Sequence, residues 1–343
     1  MIKRVVKIVL ALLIGGVFLW LAFRNVNLRE VWEYAKNMDF AWLLPFALVA
    51  LTSHIFRAER WRLLIEHDKE ELDRVTLVTG VLVGYMMNIV GPRFGEVSRP
   101  VYVAKKEGLR TSKLMGTIVL ERIIDVLVMV FLMAFVSVYL IADLNLLRQI
   151  FGDETIDFLT NEPTIYTYLG GAAIIFLLIL VGYLALKFIL YLGGRFQSLQ
   201  EWIIKARDAL SMFKDGILSI KEVEHWWLFL IYTAFIWLCY TLMTYIPFWM
   251  FDMQAAFGLD MLDALVITVI SAIGIAIPSP GGIGTYHYFV TQSLLVLFAV
   301  PTVTGLAYAT ITHASMIIFV ASITPIALFL DKMRSTKAGK PVF

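Results

Sequence analysis

The sequence predicts an all-α polytopic membrane protein with about six full spans plus two re-entrant helical hairpins, and three observations carry that prediction. Of 343 residues, 60% are hydrophobic and only 16% charged, against roughly 45–50% apolar and 25% charged in soluble domains. The apolar residues gather in windows of membrane-spanning length that end at charges or aromatic anchors. Lysine and arginine then alternate between loops as the enrichment of short cytoplasmic loops requires. The mean hydropathy of +0.80 agrees. The net charge of +2 excludes nothing by itself, and no nucleic-acid partner is expected.

Six windows read as spans: Val5–Phe23, Phe40–Phe56, Met115–Leu140, Tyr166–Leu186, Trp226–Phe251 and Val303–Leu330. The first has a basic flank but no small-x-small cleavage site before Arg24, so it is expected to stay as a span. Three further arms, Val75–Val90, Leu262–Ile277 and Tyr286–Val300, run to about 16 residues, or roughly 24 Å as helix against a hydrocarbon core of about 30 Å. They are short for full crossings.

Basic residues choose the topology. Lys3, Arg4 and Lys7 place the N-terminus inside, and Arg57, Arg60, Arg62, Lys69 and Arg74 bring the chain back inside after two spans. A full crossing at Val75–Val90 would put Lys105, Lys106, Arg110 and Lys113 outside, so a hairpin entering from the cytoplasm is expected there. An acidic loop (Asp143 to Glu162) then lies outside and a basic one (Arg195 to Lys221) inside. Around Gly193–Glu224, apolar residues at helical spacing predict a helix on the cytoplasmic face. The segment between Trp226–Phe251 and Val303–Leu330 leaves and regains the outer side, either as a second hairpin tipped by "PSPGGIG" or as two full crossings. The hairpin is preferred because the tip has no basic residue. Both termini are then cytoplasmic, in a multi-pass protein of the cell membrane.

The resulting single membrane domain divides into a first span and external loop (1–39), a first repeat half (40–140), a connecting part (141–225), a second half of opposite orientation (226–330) and a cytoplasmic tail (331–343). Interrupted segments at corresponding places in inverted halves mark binding sites in transporters. The halves share no visible sequence identity, so the repeat rests on topology alone.

Irregular backbone at membrane depth is tolerated only where protein buries it or water lines it, and both tips fit. In "GPRFGEVSR", Gly91, Pro92 and Gly95 break the helix while Arg93, Glu96 and Arg99 recur every three residues on one side of the next turn. Arginine forks and helix starts suit an oxyanion. In "VLERIIDVLV", Glu121, Arg122 and Asp125 lie where ionisable groups need a cavity or a partner. A salt-bridge knot with Arg93 or Arg99 is the structural alternative. At the second tip, Gly281 and Gly282 allow close backbone approach and Thr285 and His287 follow. His287 and His313 are candidate proton carriers, or else histidines satisfied by hydrogen bonds. Gly80 and Gly84 form a close-packing GxxxG. Cys239 is the only cysteine, and there is no nucleotide loop, metal cluster or Ser-His-Asp set, so neither a cofactor nor enzymatic activity is expected.

"RAERWRLLI" (Arg57–Ile65), the block from Gly91 to Val130 and "PSPGGIGTYHYF" (Pro278–Phe289) resemble the lysylphosphatidylglycerol synthetase transmembrane-region family, flippase-like membrane proteins of bacteria and archaea. In two-part members this region is held to move an aminoacylated phospholipid between leaflets, and a separate soluble domain, missing here, makes it. His287 stands near a position where the family often has glutamate. The resemblance implies a lipid translocase for an anionic or aminoacylated phospholipid or a polyprenyl-phosphate lipid. Arg93, Arg99 and Arg122 would hold the phosphate headgroup while Glu96, Glu121 and Asp125 position them. A secondary transporter of a small anion and a non-transporting partner of an envelope glycosyltransferase stay open, as do self-association and a lipid-modifying enzyme partner.

Overall fold

The computed structural model describes residues 2–24, 26–65, 72–142 and 224–337. The predicted span Tyr166–Leu186, the acidic loop before it and the amphipathic segment Gly193–Glu224 lie outside the described residues, apart from Glu224 itself. The chain forms two compact units, residues 1–136 with 221–343, and residues 137–220. Of the second, only the end of one helix is described.

All regular structure among the described residues is helical. The order is α1 (Ile2–Phe23), α2 (Leu28–Lys36), a 3-10 turn (Phe40–Trp42), α3 (Leu43–Ile65), α4 (Arg74–Val90), α5 (Phe94–Glu107) and α6 (Thr111–Ala142). It continues with α7 (Trp226–Met250), α8 (Met253–Phe257), α9 (Met261–Ala276), a 3-10 turn (Pro280–Gly282), α10 (Thr285–Phe298) and α11 (Thr302–Lys337). Among the described residues, four helices are long and apolar enough to cross a membrane, or five if α1 and α2, bent by 83°, form one span. The chain is an all-α, multi-pass membrane protein.

Two expected span ends move. The last span runs on from Leu330 to Lys337 as α11. The second span does not stop at Phe56; α3 continues to Ile65, because Trp61, Leu63 and Ile65 extend the apolar pattern and are buried. Arg57 and Arg60 therefore lie inside the bundle rather than in a loop.

Helices α3 and α7 run antiparallel. Phe56 stacks on Phe235 at one level and Trp42 on Trp249 at another, and the Asp39 N–H donates to the Met250 carbonyl at 2.9 Å. This pair fixes two ends of the bundle. The chain leaves α3 at one end and folds back as the hairpin α4–α5; it leaves α7 at the other and folds back as α9–α10. Each hairpin starts with the same device, an aspartate whose side chain accepts from the first-turn N–H groups: Asp73 for α4 and Asp260 for α9.

The hairpins are closed by glycine. A Cβ on Gly95 of α5 would sit 2.1 Å from the Gly84 carbonyl oxygen of α4, and one on Gly80 2.6 Å from a Val103 methyl. The GxxxG motif thus serves the hairpin's own packing. In α9–α10, Gly274 meets Phe289 and the Thr285 carbonyl, each at 3.2 Å.

Helix α11 lies along both hairpins. Tyr286 of α10 contacts His313, with ring centroids 4.9 Å apart. Further along, the Thr324 hydroxyl reaches the Leu82 carbonyl, Thr79 reaches Ala327, and Thr76 donates to Asp331. Its 36 residues span about 54 Å at 1.5 Å per residue. The helices that pack on it, α4 of 17 residues and α10 of 14, together span about 46 Å by the same rise, so the two hairpins share the length of α11. Each has its own apolar core, one built on Trp61, Leu77, Val81 and Val103 and the other on Phe248, Ile267, Val290 and Tyr308.

Gly95→Ala should lower the melting temperature of the purified protein markedly, because its methyl meets backbone rather than a yielding side chain, an overpacking penalty of about 1–3 kcal/mol or more. Gly116→Ala, with nothing within 4 Å of its Cβ, should leave it unchanged or slightly raise it.

Candidate functional site

Where the two hairpins meet, both backbones are irregular. Arg93 sits in the left-handed region at φ 64°, as do Gly281 at 58° and Gly282 at 79°. The Asn88 side chain accepts from the Gly95 N–H at 2.7 Å, tying the end of α4 to the start of α5. A Cβ on Gly281 would lie 3.5 Å from the Ile89 Cα. The second tip therefore packs on the backbone of the first with room for a Cβ, and what favours glycine at 281 is its left-handed backbone rather than the space.

Beside this junction lies a network of buried charge. From α3, the Arg57 Nη2 donates to Asp125 Oδ2 at 2.9 Å and the Arg60 Nη1 to Asp125 Oδ1 at 2.7 Å. Arg60 also reaches Glu121 Oε1 at 3.3 Å and the Thr233 hydroxyl of α7 at 3.2 Å. From α5, the Arg99 Nη1 donates to Glu121 Oε2 at 2.8 Å. Arg57 further donates to the Tyr85 hydroxyl, which lies 3.2 Å from that of Tyr240. Aromatic faces line the cations. Arg99 lies 4.0 Å above the Trp61 ring, which is itself fixed by a 2.8 Å bond from its indole N–H to Thr117, and Arg60 lies over Phe229.

Each part follows from sequence position. Arg57 and Arg60 are three apart on α3, as Glu121 and Asp125 are four apart on α6, so each pair lies on one helical face. Arg60 is 0% exposed and Glu121 3%. A buried ion pair repays its desolvation only when geometry and hydrogen bonding are good, and here both carboxylates accept from two arginines.

The count does not close. Three arginines share two carboxylates, an excess of one positive charge within the network. Arg99 carries the visible consequence: its Nε and Nη2 are buried without a hydrogen-bond partner. That edge of a guanidinium is one that grips a carboxylate or phosphate through two parallel bonds.

The expected site residues divide accordingly. Arg99, Glu121 and Asp125 enter the network. Arg122, expected to face the interior with Glu121 and Asp125, turns outward; half exposed, it pairs with the partly exposed Glu96 at 3.3 Å. Arg93 is exposed at the first tip, and no ion pair engages it among the described residues. Gly281, Gly282, Thr285 and His287 belong to the second tip. There Thr285 is fully buried, bonded to the Ser279 hydroxyl at 3.0 Å and bracing the Gly282 carbonyl.

Sequence reasoning missed Arg57, Arg60, Tyr85, Tyr240 and Thr233. The arginines had a readable signal, since their three-residue spacing sets them on the face opposite the Glu59–Arg62 pair. The hydroxyls had none, for nothing local distinguishes Tyr85 or Tyr240 from interfacial tyrosines.

Glu121→Gln should destabilise the protein by about 3–5 kcal/mol by leaving buried arginines uncompensated, whereas Glu96→Gln, whose partner is half exposed, should cost about 1 kcal/mol or less. Thermal or denaturant unfolding in one detergent compares the two; equal losses would show that burial does not set the balance.

The family described as "Lysylphosphatidylglycerol synthase TM region" matches residues 8–323, from within α1 through most of α11. No curated protein and no solved structure matches the chain. With both hairpins and every charged group of the network inside the matched span, the chain belongs to the lysylphosphatidylglycerol synthase transmembrane-region family.

Proposed function

We propose that the protein is a lipid translocase that moves an anionic or aminoacylated phospholipid, or a polyprenyl-phosphate lipid, between leaflets by alternating access. The observation that carries this reading is the unpartnered, buried edge of Arg99 beside two opposed hairpin tips. A cation held short of a counter-charge in a low-dielectric site binds an arriving phosphate more strongly than a balanced one does.

The tips belong to elements that enter from opposite ends of the bundle and share α11. Movement of one hairpin along that helix opens the network to one side, and movement of the other opens it to the opposite side. Arg93, Arg122 and Glu96, exposed near the first tip, meet the headgroup on entry, and Arg99 takes the phosphate when the hairpin parts from α3 and α6. The lipid tails stay in the bilayer. In the closed arrangement Glu121 and Asp125 keep the arginines compact. The basic flanks of the first hairpin support its opening towards the cytoplasm. The chemistry is binding and release, with no bond made or broken, so no enzymatic step is assigned.

Arg99→Gln should lower the rate at which proteoliposomes expose a fluorescent phosphatidylglycerol to an external quencher by about tenfold or more, a differential binding energy of roughly 1.4 kcal/mol or above. Arg99→Lys keeps the charge but not the paired edge, and should fall between. Both folded variants retaining the wild-type rate would refute the phosphate role. Uptake of free inorganic phosphate without lipid movement would point to a small-anion transporter instead.

A further inference from the structure

The second tip carries a pair of imidazoles that the headgroup site does not use. Gly284 is the N-cap of helix α10, and His287 is the third residue of the helix. The Gly284 N–H donates to His287 Nδ1 at 3.4 Å, the returning arm of a capping box. That nitrogen is therefore an acceptor and carries no proton in this conformation. The His313 ring of α11 lies against it, with centroids 5.1 Å apart. A Cβ on Gly282 would lie 3.6 Å from His313 Cε1, so the turn rests on this ring.

Among the described surroundings no carboxylate pairs with His287, whereas His313 hydrogen-bonds the Gly281 backbone. From α10 itself comes the ring of Tyr286, 6.0 Å from that of His287 and 4.9 Å from that of His313. Helix α1 presents the Phe23 ring at 6.3 Å, and the turn contributes the backbone of Gly281 and Gly282. Among the described residues no ion pair engages either imidazole. The start of α10 is moreover the positive end of its dipole. A proton on His287 Nδ1 sets N–H against N–H at Gly284, faces a second imidazole, and sits at the wrong end of a helix. Movement of the turn takes the Gly284 N–H away from that proton and relieves the first of these conflicts.

Movement there is consequential because the turn is wedged. A Cβ on Gly284 would lie 2.1 Å from the Gly15 carbonyl oxygen of α1, and Gly281 abuts Ile89 of the opposite tip. The same turn closes the second hairpin against both neighbours.

We infer that His287 and His313 form a proton-binding site whose occupation releases the second hairpin tip, so that translocation is coupled to proton uptake from the side on which that hairpin opens. This rests on the reading of the hairpins as moving parts. Its test needs no transport, so the two fail separately.

Hydrogen exchange of the full chain in lipid nanodiscs, followed by mass spectrometry, reads the tip directly. After correction for intrinsic chemical rates, residues 277–288 should exchange about three- to tenfold faster at about pH 4 than at pH 7.5, as expected for one lost hydrogen bond to a buried N–H. His287→Gln keeps an acceptor for Gly284 and does not titrate; it should hold the slow exchange at both pH values. His313→Gln, leaving a single imidazole, should shrink the difference while folding normally, and it serves alone if His287→Gln does not fold. A wild-type tip that exchanges equally at both pH values, or folded variants that keep the full difference, would overturn the proposal.

Discussion

Two carboxylates on one helix organise this half of the membrane bundle. Glu121 and Asp125 of α6 bind Arg57 and Arg60 of α3 and Arg99 of α5. Each charge would cost about 2.5–3.5 kcal/mol to insert alone at a helix centre, so none of these helices is comfortable without the others. The requirement fixes the rotation of α3 and α6 about their axes and draws α5, a helix too short to span, in against them. The apolar packing of Trp61, Leu77 and Val103 then follows.

The network also gives the hairpin its two faces. Towards α3 and α6, the α4–α5 hairpin is held by Arg99 and by Tyr85. Towards α11 it is held by Asp331, which accepts from Thr76 and from Tyr102, both at 2.5 Å, and pairs with Lys106 at 3.0 Å. The second hairpin meets the same helix through aromatic and imidazole rings instead. One half of α11 is thus fastened by charge and the other by soft ring contacts, which makes the two hairpins unequal in how readily they leave it.

Much of this was legible in the chain. The breakers Gly91, Pro92 and Gly95 and the run Pro278–Gly284 mark both tips, and arms of about 24 Å are too short to cross. Length and punctuation marked the arms of both hairpins, basic flanks favoured the first as a hairpin, and the second stayed open to two full crossings. The carboxylates announced themselves as charges within an apolar run. The arginines of α3 did not, because charge marks a loop as readily as a buried partner. A helix whose charged residues lie three apart beside tryptophan and leucine resolves only when its partner is known. The outward turn of Arg122 has a similar cause: with Arg57, Arg60 and Arg99 already on the two carboxylates, Arg122 pairs with Glu96. The contact between the tips had no local signal beyond the glycine at 281, whose left-handed backbone the turn requires.

The central claim is that the tips part during transport, and a cross-link tests it. In a Cys239→Ala background, Ile89→Cys with Gly281→Cys places two thiols across the observed contact, where the Gly281 Cβ position and the Ile89 Cα are 3.5 Å apart. Lipid translocation should stop when oxidation forms the disulfide and return when reductant breaks it, while each single-cysteine protein stays active under both conditions. Undiminished translocation through a fully cross-linked protein would contradict the account.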